Sequence, residues 1–274
     1  MLSSSILPSL LRSGRAFGFL LLFALGPALS VGLGAEPSGG ASTNVPPSVI
    51  LHLPLALIRG QTNAIQFRGL GLTHITEIAI LDAPQRSSAI FRSAGKAEVP
   101  KPLDAARAGD TQVAAELYLP QAASIASVRV ALRAVDRATV TNEIFVIDAD
   151  RGVDEKEPNG GFGQAQRIGV GKTIRGAIEK ERDVDVYSFS AAAGDRIAIR
   201  IRAAEFGSAL DSVLTLSDAS GHSIGWNDDT AVGRDSEITA SISTNGVYYV
   251  TVMDAHDRGG PIHAYLLSLE RVAR

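Results

Sequence analysis

Two short acidic segments hold the residues best suited to chemistry. The first reads Glu155-Lys156-Glu157-Pro158-Asn159 and the second Asp183-Val184-Asp185-Val186-Tyr187-Ser188-Phe189, with Gly176-Ala177-Ile178 between them. Carboxylates and an amide stand ahead of short extended runs, and an aspartate pair opens the second run. Oxygen donors grouped this way suit a hard cation such as calcium, which takes about 6–8 oxygen ligands. The same residues also read as a solvated acidic edge, with Pro158 stopping a strand from extending. A second oxygen cluster is Asp211 with Asn227, Asp228 and Asp229. Aspartates placed like these more often cap turns through side-chain-to-backbone bonds, with a metal as the alternative.

Other motifs fail on context. Gly221-His222-Ser223-Ile224-Gly225 matches the G-x-S-x-G pattern, but it follows an Asp218-Ala219-Ser220 turn and runs straight into Trp226. A nucleophile elbow needs a strand–turn–helix setting, and this is a hairpin. Gly171-Lys172-Thr173 resembles the end of a phosphate loop, yet Gln166 stands where the first glycine belongs and a strand follows. His52, His74, His222, His256 and His263 share no ligand spacing. Arg196, Arg200 and Arg202 form an exposed row that reads as a solvated strand face, with contact to an anionic polymer as the second reading. No catalytic constellation is expected.

Composition narrows the classes further. The chain has 274 residues, room for a leader and two domains. A net charge of −3 gives no electrostatic reason to expect nucleic acid. Cysteine is absent, which removes disulfides, thiolate metal sites and lipoprotein anchoring.

At the amino terminus, Arg12 and Arg15 precede an apolar run beginning Phe17-Gly18-Phe19-Leu20-Leu21-Leu22 and continuing to Ala35. A basic segment followed by an apolar one is the pattern of a secretory signal. A membrane anchor is the alternative, since the run approaches the roughly 20 residues that cross a bilayer. Both place the remainder outside the cytoplasm: secreted, periplasmic or at the cell surface. Residues 36–47 read as a linker rich in Pro, Gly and Ser.

The elements that must position the acidic residues are strands. Between residues 48 and 148, alternating runs such as Asn63–Phe67, Val113–Leu119 and Asn142–Ile147 are bounded by turn residues. About seven such runs in this span fit an immunoglobulin-like sandwich. Arg59-Gly60-Gln61-Thr62 followed by Asn63-Ala64-Ile65-Gln66-Phe67-Arg68-Gly69 also resembles IPT/TIG-type extracellular modules. Residues 149–154 read as a second linker, and a further β-series fills 155–274. Its clearest alternation is Arg196-Ile197-Ala198-Ile199-Arg200-Ile201-Arg202, with the isoleucines on one face. Leu103–Ala108 is the nearest approach to a helix in the mature chain. The expected fold class is all-β, with two antiparallel sandwiches in series.

Residues from about 155 to 272 resemble the bacterial pre-peptidase C-terminal domain. Besides the two acidic segments, the resemblance rests on Ala193-Gly194-Asp195, Asp211-Ser212-Val213-Leu214-Thr215-Leu216, Asn227-Asp228-Asp229 and Gly246-Val247-Tyr248-Tyr249-Val250-Thr251-Val252. Val186 and Gly160 depart from it. The resemblance implies a secreted, jelly-roll-like sandwich without catalytic activity. It also implies calcium as cofactor, with Glu155, Glu157, Asn159, Asp183 and Asp185 as ligands. The expected function is an exported binding or adhesion module for an extracellular polymer or envelope component. An accessory subunit bound to an exported hydrolase is the second expectation, with no nucleic-acid partner and membrane contact only through an uncleaved leader.

Overall fold

The structure, a computed structural model, describes residues 45–273. The expected leader and most of the 36–47 linker lie outside the described residues. The first sandwich is built from β1 (Ser48–Leu53), β2 (Ala56–Ile58), β3 (Thr62–Leu70), β4 (Ile75–Leu81), β5 (Ser88–Lys96), β6 (Thr111–Tyr118), β7 (Ser127–Ala134) and β8 (Thr139–Ile147). They form two four-stranded sheets, ordered β1-β3-β6-β5 and β2-β8-β7-β4. Phe67, Val113, Leu117, Val130, Leu132 and Ile144 fill the space between them. A single helical turn, α1 (Ala105–Ala108), sits where the sequence allowed one, its first turn capped by the Asp104 side chain accepting from the Arg107 amide.

The second sandwich uses β9 (Gly152–Asp154), β10 (Gln166–Arg167), β11 (Thr173–Ala177), β12 (Val184–Ala191), β13 (Arg196–Arg202), β14 (Ser212–Ser217), β15 (Ser223–Asn227), β16 (Glu237–Ser241), β17 (Gly246–Asp254) and β18 (Ala264–Arg271). One sheet runs β10-β12-β17-β14-β15 and the other β16-β13-β18-β11-β9. Ile197, Ile199 and Ile201 are buried between the sheets, while Arg196 and Arg200 face out, as the alternation requires. Each such isoleucine contributes about 2 kcal/mol by leaving water.

Three pairings depart from a purely antiparallel plan. β2 pairs with β8, β9 with β11 and β10 with β12, all in parallel. Each involves a strand of two or three residues, too short to show any alternation. The 149–154 segment, read as a linker, therefore contributes Gly152–Asp154 to the second sandwich's sheet.

The two sandwiches meet through an apolar joint of Leu55, Ala56, Ile58 and Ile147 from the first and Ala264 and Leu266 from the second. Gly152 lets the chains close here: a Cβ at this position would lie 2.5 Å from Ile58 Cγ1. Buried Arg175 crosses the joint, donating to the Ala56 carbonyl at 2.9 Å and to Asn63 Oδ1 at 2.7 Å, and it pairs with Asp154 on its own side at 2.6 Å.

Candidate metal centre

The acidic lead-in segment leaves β9 and lies along β11. The Glu155 amide donates to the Arg175 carbonyl at 3.1 Å, and Glu155 Oε2 accepts from the Ala177 amide at 2.8 Å. Those two bonds aim the other carboxylate oxygen at the first residues of β12. There Asp185 and Tyr187 alternate onto the inner face and are fully buried. Asn159, also fully buried, folds back so that its Nδ2 donates to Glu155 Oε1 at 2.8 Å, while its backbone carbonyl accepts from the Val186 amide at 3.0 Å. Glu157 is more exposed and takes the Asn159 amide on Oε2 at 2.8 Å.

A chain of close oxygens runs through this site. Tyr187 Oη lies 2.6 Å from Glu155 Oε1, Tyr187 Oη 2.7 Å from Tyr265 Oη, and Tyr265 Oη 2.5 Å from Asp185 Oδ2. Three such contacts need three protons, and two phenols supply two. The carboxyl group of Asp185 is the natural holder of the third. Burial, and then the nearby Glu155 charge, push its pKa up to about 9. Burial and the same carboxylates raise both tyrosines well above their usual value, so they remain phenols. Gly176 makes room for this network: a Cβ there would lie 2.6 Å from Tyr265 Cζ.

A cation would serve in place of that proton. One oxygen each from Glu155, Glu157 and Asp185 lie within 4.8 Å of one another. Two oxygens sharing a calcium ion at about 2.3–2.6 Å are at most about 5 Å apart, so the spacing is right. Asn159 Oδ1 and Asp185 Oδ1 are buried with no hydrogen-bond partner, an arrangement that costs free energy unless something positive faces them. The donor set, hard oxygens only, fits calcium.

The remaining sequence candidates lie differently. Asp183 Oδ2 accepts from the Glu179 amide at 2.8 Å and its Oδ1 is 3.9 Å from Lys180 Nζ. It closes the turn before β12, and its charge acts on Asp185 only as one of several nearby charges. In the second cluster, Asp211 pairs with His256 at 3.5 Å. Asn227 accepts from the Glu237 amide and donates to the Asp229 carbonyl, both at 2.8 Å. Asp228 contributes its backbone carbonyl to Ser236. These are turn-organising bonds, and among the described residues the only three-residue acidic group within ligand reach is Glu155, Glu157 and Asp185. Tyr187 and Tyr265 are site residues that sequence reasoning missed. The i, i+2 spacing of Asp185 and Tyr187 was the available signal for the first.

Ser223 lies on β15, an edge strand, and its hydroxyl donates to the Gly225 carbonyl at 3.4 Å. Its neighbour His222 faces solvent beside Asp218.

A second surface lies on the outer face of the β12-containing sheet. Register aligns Trp226 with Thr215, Thr215 with Thr251, and Thr251 with Val186, so these side chains share one face. Tyr249 is two residues from Thr251 on that face, and Phe162 stacks on it with centroids 4.5 Å apart and planes at 20°. Trp226 is 60% exposed and Phe162 44%, a large aromatic outlay for solvent.

These features define an all-β protein in which a buried carboxylate–phenol network pins the start of a sandwich to its inner sheet face. The C-terminal sandwich carries a bacterial pre-peptidase C-terminal domain, whose family model matches residues 183–253. A probable subtilase-type serine protease of Deinococcus radiodurans is 36% identical over 135 residues, which is 43% of this chain and 18% of the protease. The matched part therefore spans under a fifth of that relative. Among solved structures, the pre-peptidase C-terminal domain of a Bacillus anthracis collagenase matches at 24% identity and TM-score 0.33, covering 42% of this chain and 100% of that one. PliG, a periplasmic inhibitor of g-type lysozyme from Aeromonas hydrophila, matches at 16% identity and TM-score 0.29, covering 43% of this chain and 100% of its own.

Proposed function

We propose that the protein is an exported, non-catalytic binding module that holds an extracellular polymer or envelope component, with calcium stiffening its C-terminal sandwich. The observation that carries the reading is the outer face bearing Trp226 and the stacked Phe162–Tyr249 pair. Exposed aromatic planes flanked by threonine hydroxyls suit a repeating, partly apolar polymer surface, and rigid strands present them at little entropic cost. Calcium would sit against Glu155, Glu157 and Asp185 with Asn159 Oδ1 beside them, supplying the positive charge that a proton otherwise provides. Retention of the purified chain on a panel of insoluble polysaccharides and protein matrices tests the reading. Retention on at least one, lost in Trp226→Ala with Phe162→Ala, is expected. No retention on any removes it.

The similarity to a segment of a serine protease favours a second reading, an accessory or structural subunit attached to an exported hydrolase. Isolation from the native secretome without a stably associated hydrolase would count against it.

A further inference from the structure

On the other side of the second sandwich, the outer face of the β13-containing sheet meets the first sandwich across a cleft of about 550 Å³. This lies within the usual range of about 300–1,000 Å³ for small-ligand sites. One wall is a cross-strand row: Arg200 aligns with Ser268, and Ser268 with Thr173. The facing wall comes from β8 and its flanks, with Phe145, Ile125 and Asp148.

Four arginines line the cleft, yet none brings net charge. Arg59 pairs with Asp148, and Arg151 with Glu270 at 2.6 Å. Arg200 grips Glu237 with Nε at 3.0 Å and Nη2 at 2.7 Å, and Arg202 holds Glu205 at 2.5 Å. The Arg202 guanidinium also lies over the Phe145 ring, 4.6 Å from its centroid, and over Phe206 at 5.0 Å. The result is a cleft with fixed donors, the acceptors Asp148 and Glu270, hydroxyls from Ser124, Thr173 and Ser268, and an apolar flank, each guanidinium being neutralised by its own carboxylate.

That balance selects the ligand's chemistry. An anion would have to displace a carboxylate already seated on each guanidinium, and a cation would meet the mirror problem. An apolar ligand would strip water from four ion pairs and return nothing to them. A ligand whose every polar group both donates and accepts, without charge, meets both members of the Arg59–Asp148 and Arg151–Glu270 pairs, which line the cleft. It leaves Arg200 and Arg202 seated on Glu237 and Glu205. Vicinal hydroxyls on a ring do this, and the ring's carbon face can lie on Phe145 and Leu266.

We propose that the cleft between the two sandwiches binds a short neutral oligosaccharide. This goes beyond the polymer-binding reading, because it concerns a different surface and a soluble ligand. Titration calorimetry of the whole chain with neutral cello-, xylo-, manno- and chito-oligosaccharides tests it, with oligogalacturonate as the anionic control. One neutral series is expected to bind with little salt dependence. Ser268→Phe, which fills the cleft, is expected to weaken it roughly tenfold or more, and Arg200→Gln several-fold. If Ser268→Phe melts early by circular dichroism, Arg200→Gln decides alone. Failure of every neutral series to bind overturns the proposal. So does undiminished binding by the variants, or preferential, salt-sensitive binding of oligogalacturonate. Polymer retention that depends on Trp226 and ignores Ser268→Phe, alongside such a failure, would sink the cleft while leaving the module's proposed function standing.

Discussion

Arg175, on the second sandwich, donates from Nη1 to Asn63 Oδ1 of the first at 2.7 Å, and Asn63 in turn accepts from the Ile58 amide and donates to the Ile58 carbonyl, both at 2.9 Å. One guanidinium thereby ties β11 to the β2–β3 turn, next to the apolar joint. Its strand neighbours Gly176 and Ala177 belong to the acidic site, since Ala177 donates to Glu155. The joint and the candidate metal centre share a strand.

Arg175→Met keeps the stem's volume and removes the fork. Asp154 is half exposed and rehydrates, whereas the Ala56 carbonyl and part of Asn63's capacity lose their partner. A loss of about 2–4 kcal/mol is expected from breaking a buried charged network at one member. Urea unfolding checks it. A midpoint equal to that of the parent chain would mean the bridge contributes nothing net.

Asp185→Asn separates the proton from the cation. The amide supplies a donor toward Tyr265 Oη at neutral pH, completing the three-contact chain that Asp185 completes only by keeping a proton. In EDTA the variant is expected to melt above the parent, by an amount corresponding to about 1–3 kcal/mol. Calcium is expected to raise the parent's melting temperature, by about 2.7 kcal/mol of added stability at a hundredfold excess over Kd. It should leave the variant unmoved. Coincident parent melts in calcium and in EDTA would remove the metal from the site.

Gly176→Ala reaches the same network from the strand side. The new methyl would sit 2.6 Å from Tyr265 Cζ and 2.7 Å from its hydroxyl, so the ring must shift and the 2.5 Å contact of its hydroxyl with Asp185 is disturbed. A destabilisation of about 1–3 kcal/mol is expected from the overpacking. A weaker calcium response should accompany it if Tyr265 orients Asp185. Calorimetric titration with calcium measures that part separately from stability.

Much of this architecture could be read from the chain. The alternation of Ile197, Ile199 and Ile201 dictated a strand with one buried face, and the acidic segments pointed to the Glu155–Asp185 meeting. What escaped was set by non-local geometry. β2 and β9 are three residues each, and their strand character comes from parallel partners some ninety and twenty residues away along the chain. Asp183 and Asp185 look equivalent in the sequence, yet the turn from Glu179 claims the first. Tyr265 lies 80 residues from Asp185, and no local pattern links them. The neutralisation of the cleft's arginines was likewise hidden, because their partner carboxylates come from four separate segments.

His52 gives the joint a dependence on acid. Its ring is buried, bonded through Nε2 to the Leu55 carbonyl at 3.2 Å, and flanked by Phe67 and, across the joint, Phe206, with centroids 6.3 and 6.4 Å away. Burial holds its pKa below the usual 6.5, outweighing the carbonyl contact. The folded state therefore prefers the neutral ring, while the unfolded chain takes up a proton near pH 6.5. Stability from this group is complete above that pH and declines as pH falls toward the folded pKa, at no more than about 1.4 kcal/mol per pH unit for one proton. His263, also lowered by burial, acts in the same direction. Asp185, with its carboxyl pKa pushed up to about 9, works in the opposite direction, adding stability as pH falls through this range, so the two effects oppose each other. His52→Leu is expected to make the change in stability from pH 7 to pH 5 more favourable than in the parent, with the contributions of His263 and Asp185 unchanged. Urea midpoints of parent and variant at both pH values supply the comparison, and identical pH 7-to-5 differences in the two proteins would show that His52 is not a group being titrated.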